Sequence, residues 1–139
     1  MRFISSAVLA CIGTLALAAS PPDAPHKHAA HFVAHDVASG LRGGYHVVIT
    51  DLNKDGKPDL LAVASQLRDL IWFENPTWTK HVVSSGYTQM INAAPYDTDG
   101  DGIPEIVLAH GFSMNPSTST GIITLLTHLG DPVNPWIAR

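Results

Sequence analysis

The sequence of 139 residues holds one cysteine, Cys11, so it cannot close a disulfide within itself. Basic residues are scarce as well, with eight Lys and Arg against twelve Asp and Glu. A chain with that balance has no basic surface on which to hold nucleic acid. No segment beyond residue 19 repeats its apolar residues at a helical period, which argues against a helical protein. There is no Ser/His/Asp constellation, phosphate-binding loop or dinucleotide fingerprint. What remains is short apolar runs, turn residues and acidic residues gathered into two places.

The first stretch stands apart. Met1-Arg2-Phe3 is a short positive start, and residues 4–19 then run apolar, with Ile4, Val8, Leu9, Ile12, Leu15 and Leu17. Ala16-Leu17-Ala18 offers a small-residue cleavage site, and Pro21-Pro22 follows. This predicts a secretory signal peptide over residues 1–19. The run is shorter than the roughly 20 residues of a membrane span, so no span is expected in the mature chain. Val8-Leu9-Ala10-Cys11 has the form of a lipoprotein signal, but the apolar run continues well past Cys11. A secreted, periplasmic or extracellular location is therefore expected. The mature chain has no cysteine and must find stability elsewhere, bound metal being one source. Residues 20–30, rich in proline and small residues and carrying His26 and His28, read as a solvated linker.

From residue 31 the chain reads as β-structure. Runs of Val, Ile and Leu are bounded by Gly, Pro, Asn and Asp. Strands are expected near 31–37, 45–50, 59–65, 70–74, 79–84, 91–96, 105–110, 121–128 and 136–139. Asp51-Leu-Asn-Lys-Asp-Gly-Lys-Pro-Asp-Leu-Leu-Ala-Val-Ala returns 46 residues later as Asp97-Thr-Asp-Gly-Asp-Gly-Ile-Pro-Glu-Ile-Val-Leu-Ala-His. Four strands lie within that period, the size of one propeller blade. Trp78-Thr-Lys-His-Val-Val, Trp136-Ile-Ala-Arg and His31-Phe-Val-Ala-His-Asp-Val read as one outer strand in successive units. The expectation is an all-β fold of four-stranded antiparallel blades over 31–139, an incomplete propeller of about two to three blades. Repeat units do not bury their faces alone. The chain is expected to be a fragment of a longer protein, or to complete its ring as an oligomer.

Seven of the twelve acidic residues fall in the windows 51–59 and 97–105. Crowded carboxylates repel one another unless a cation neutralises them. Oxygen-bearing side chains stand at positions 1, 3, 5 and 9: Asp51, Asn53, Asp55 and Asp59, then Asp97, Asp99, Asp101 and Glu105. Gly56 and Gly102 permit a sharp turn at positive φ. The backbone carbonyls of Lys57 and Ile103 at position 7 can face an ion. Ca²⁺ takes about six to eight oxygens at roughly 2.3–2.6 Å, which this spacing can supply in each loop. Mg²⁺ demands a tighter octahedron, and zinc would want Cys or His. An EF-hand needs a bidentate Glu at position 12 and flanking helices; here position 12 is Ala62 and Leu108. Solvated turns without metal are the plain alternative.

At these residues the sequence resembles the FG-GAP/VCBS-type repeat family, the calcium-loop propellers that include the integrin α-subunit head. Its pattern D-x-[DN]-x-D-G-x-x-[DE] is met by Asp51–Asp59 and Asp97–Glu105, each followed by an apolar run. The resemblance implies a calcium loop between the first and second strands of each blade. The Phe-Gly and Gly-Ala-Pro cage of the family is not recognisable. Ile71-Trp-Phe-Glu-Asn-Pro-Thr-Trp-Thr-Lys-His-Val-Val is similar to a segment of propellers related to aldos-2-ulose dehydratase, a sugar lyase. No catalytic motif accompanies it, and no catalytic residue is assigned. Two functions stay open. One is a calcium-stiffened module that binds a protein or glycan partner. The other is part of a carbohydrate-active enzyme, with His46 and His110 as acid–base groups and Trp72, Trp78 and Trp136 available to stack on sugars or to pack between blades.

Overall fold

A computed structural model describes residues 30–139. The expected signal peptide and all but the last residue of the expected linker lie outside the described residues. The chain divides into two units, Met1–Ala34 and His35–Arg139, and every strand among the described residues lies in the second.

Among the described residues eight strands follow one another: β1 Gly44–Thr50, β2 Asp59–Ala64, β3 Asp69–Glu74, β4 Thr79–Ser85, β5 Asn92–Tyr96, β6 Glu105–His110, β7 Ile122–Thr127 and β8 Ile137–Ala138. They form two four-stranded sheets in sequential order, β1-β2-β3-β4 and β5-β6-β7-β8, all neighbours antiparallel. Neither sheet closes on itself. This is the expected pair of incomplete propeller blades, and each strand lies within a residue or two of its expected place except the first. No described residue is helical, and no described helix is long and apolar enough to cross a membrane.

Alternation along each strand decides what is buried. Leu61 and Val63 of β2, Leu70 and Trp72 of β3 and Val83 of β4 turn to one side of the first sheet. There they meet Ala93, Ile106, Leu108 and Leu126 of the second sheet, joined by Leu52, Met90 and Trp136. Each large side chain buried there contributes on the order of 1.5–3 kcal/mol. On the far side of the first sheet, Ala62, Ile71 and Phe73 are buried beneath Val37 and Leu41.

Residues 31–37 are not a strand. An outer strand exists only against an inner one, and among the described residues this segment finds no inner strand of its own. The chain instead brings Val37 and Leu41 across the face of the first sheet, where burial rather than strand pairing holds them.

Candidate metal centre

Each acidic loop joins the first strand of its sheet to the second, β1 to β2 and β5 to β6. The two loops share a backbone. Lys54 and Gly100 adopt φ of 60° and 81°, and Gly56 and Gly102 adopt 82° and 91°. Glycine meets that demand without strain, whereas lysine at position 4 does so at some cost. The carboxylates then gather the N–H groups that the turn leaves unpaired. Asp51 accepts from Asp55 at 3.2 Å and from Gly56 at 2.8 Å. Asp97 accepts from Gly100 at 2.8 Å and from Gly102 at 2.9 Å. Asn53 and Asp99 each accept the N–H two residues on, at 3.1 Å. Asp55 and Asp101 do likewise with Lys57 and Ile103, both at 2.8 Å.

The ninth position is buried in both loops. Asp59 is fully buried, and its two oxygens accept the N–H of Leu52 at 2.8 Å and of Asn75 at 2.9 Å. Burial raises its pKa, opposed by those two hydrogen bonds. Glu105 accepts both the N–H (2.8 Å) and the hydroxyl of Thr98.

Beyond these bonds the loops part. In the first, Lys57 Nζ reaches Asp55 at 3.0 Å, and this hydrogen bond is the main reason the exposed Asp55 titrates below its usual value. Asn53 donates to Glu74 at 3.1 Å, and Glu74 in turn meets His81 at 2.8 Å. His81 stacks on Trp72 with centroids 4.5 Å apart. In the second loop, Asp97, Asp99 and Glu105 each offer a carboxylate oxygen, and those oxygens lie within 4.8 Å of one another. Asp101 stands outside that trio. His128 Nε2, buried and without a hydrogen-bond partner, lies 3.4 Å from Asp101 and 4.0 Å from Glu105. Lys54 crosses from the first loop to bond the carbonyl of Asp101.

The spacing of the acidic residues gives no sign that Glu74, Asn75, His81 and His128 stand in this neighbourhood. The antiparallel register carries them there, since Asn75 and His128 directly follow the strands that pair with β2 and β6. His46 is exposed, while His110 is half-buried, bonds Thr124 at 2.9 Å and packs on Tyr87.

Residues 51–108 match the FG-GAP-like repeat family. The chain carries an FG-GAP-type repeat. The matched span contains both acidic loops and one whole period between them. Searches of curated proteins and of solved structures each found no match.

At the opposite ends of β1 and β2 from the loops lies an open cleft of about 310 Å³. Tyr45, Gln66, Gln89 and Phe112 line it, two rings and two amides.

Proposed function

We propose that this repeat module is exported, binds Ca²⁺ through its two acidic loops and presents a rigid cleft to a protein or glycan partner. The observation that supports calcium best is the approach of the Asp97, Asp99 and Glu105 carboxylates to within 4.8 Å of one another. Three negative groups so close repel one another, a cation would relieve that repulsion, and an all-oxygen donor set suits a hard one. Asp101 and the Ile103 carbonyl complete the second set. The first consists of Asp51, Asn53, Asp55, Asp59 and the Lys57 carbonyl, with Asp59 entering through lone pairs left over from its two N–H donors. Bound calcium would supply positive charge and a link between the turn and the next strand.

Export rests on the apolar start of the sequence, its positive first residues and the small-residue cleavage site at Ala16-Leu17-Ala18. The cleft supports partner binding because aromatic faces and amides together fit the apolar faces and hydroxyls of sugars, or a peptide backbone.

Thermal melting in chelator and in excess calcium tests the metal reading. A ligand bound only by the folded form adds about 2.7 kcal/mol at a hundredfold excess over its Kd. Melting temperature is expected to rise with calcium, and calorimetric titration of Asp97→Ala is expected to show one site fewer. Identical melting in chelator and in calcium would remove the basis for the reading.

A further inference from the structure

β3 and β7 hold the same place in their sheets, and the residue after each stands beside the ninth position of an acidic loop. After β3 that residue is Asn75. Its N–H donates to Asp59 at 2.9 Å, and its side-chain amide donates to the Pro58 carbonyl, also at 2.9 Å. A backbone donor thus fixes the buried carboxylate of the first loop. After β7 the residue is His128, which approaches its loop with a side chain instead. Glu105 spends Oε2 on Thr98, while its Oε1 faces His128 Nε2 at 4.0 Å. Asp101 Oδ2 lies nearer, at 3.4 Å.

The imidazole is held from behind. Its Nδ1 accepts the N–H of Gly130 at 3.2 Å. A ring nitrogen that accepts carries no proton, so Nε2 bears the N–H and aims it at two carboxylates. The side chain is only 5% exposed, and Nε2 has no hydrogen-bond partner among the described residues. A buried donor without an acceptor is unfavourable, and Asp101 or Glu105 relieves it by closing on it. An Nε2 that carries its proton has no lone pair for a cation. What it supplies is a donor outside the oxygen set, of the kind that orients ligating groups and strengthens their hold.

The same ring touches the packing between the sheets. Trp136 meets it edge-on, with centroids 5.4 Å apart and planes at 66°. Trp136 is buried in the core that the two sheets share, and its N–H donates to the Val83 carbonyl of β4. Direct contacts therefore run from the second acidic loop through His128 and Trp136 to the outer strand of the first sheet.

We infer that His128 is a positioning residue of the second loop's cation site, its Nε2–H fixing Asp101 and Glu105, and that through Trp136 it couples that site to the packing between the sheets. The inference rests on the calcium reading of that loop. Coupling of this kind is reciprocal, so calcium in the loop tightens the packing around Trp136 and that packing tightens calcium.

Asp55→Ala disables the first loop and leaves the second to be titrated alone in the full chain. In that background His128→Leu is expected to hold calcium at least about tenfold more weakly by calorimetry. Its melting temperature in chelator is expected to be unchanged or higher, because the unpartnered donor is gone. A merely structural role would lower both. His128→Gln keeps an N–H donor on a side chain of similar reach and is expected to recover most of the affinity. Ring-nitrogen NMR shifts of His128 are expected to show Nδ1 bare and Nε2 protonated. The Trp136 indole N–H resonance is expected to move with calcium, and to stay still in His128→Leu. Calcium binding by His128→Leu equal to its parent's, a glutamine variant as weak as the leucine one, a ring protonated on Nδ1, or an indole resonance in the parent that ignores calcium would each overturn the inference. Should the leucine variant fail to fold, the glutamine variant and the two resonances decide. No calcium uptake by Asp55→Ala itself would be a different failure, ending the calcium reading of the loop and this inference with it.

Discussion

The two acidic loops turn the same corner with the same hydrogen bonds, yet they balance their charge differently. The first brings its own counter-charge, Lys57 on Asp55, and holds an amide, Asn53, where the second has Asp99. The second draws three carboxylates together and has for company His128 and a lysine borrowed from the first. Repetition of a backbone motif thus does not repeat its electrostatics. Four repeated oxygen-bearing positions specify the turn, and the residues between and beyond them decide how its negative charge is balanced.

The sharpest way to separate turn from ion is to empty the ninth position of each loop. Asp59→Ala strands the N–H groups of Leu52 and Asn75, at about 1–3 kcal/mol for each buried donor left unpaired. That loss is expected in chelator already, with a smaller further loss in calcium because both Asp59 oxygens also serve backbone N–H groups, read from urea denaturation. Glu105→Ala is expected to cost a similar amount per lost bond in chelator and distinctly more in calcium. Equal costs for Glu105→Ala in both conditions would erase the contrast between the loops.

Making the first loop resemble the second should move it the other way. Asn53→Asp adds a carboxylate and sets it against Glu74, the partner of the present amide. Calorimetric titration is expected to show calcium held about tenfold more tightly in that loop, some 1.4 kcal/mol, while stability in chelator falls.

A third comparison lies just beyond the loops, where the second sheet has His110 and the first has Ala64 at the equivalent place. Burial lowers the His110 pKa below its ordinary 6.5. The unfolded chain therefore takes up this proton before the folded one does. Its effect on stability is nil above pH 6.5, and stability is lost as pH falls from there toward the depressed folded value. His110→Gln is expected to flatten that part of a melting-temperature profile. The smallest change is expected from Lys54→Ala, which cuts the bond to Asp101 on an exposed surface. Stability should move within about 0.5 kcal/mol, and calcium affinity of the second loop should hardly change.

Much of this was legible in the chain itself. The 46-residue return of Asp51–Ala64 marks the period, and the strands that flank it could be placed from alternation and turn residues alone. Gly56 and Gly102 announced positive φ, but Lys54 did not, because only its counterpart Gly100 hints that position 4 is left-handed. The segment 31–37 has the composition of a strand, and composition is silent about whether a partner edge exists. Nor could spacing reveal that both oxygens of Asp59 are taken by Leu52 and Asn75.

What the sequence determined by itself is local and periodic: which runs are strands, where the turns fall, and that carboxylates crowd twice at one spacing. These follow from side-chain alternation and from backbone conformations that few residues allow. Tertiary structure alone decided which face of each sheet is covered, which carboxylates converge and which are spent on backbone N–H groups. Those outcomes depend on register and packing between residues distant in the chain, and no short window of sequence contains them.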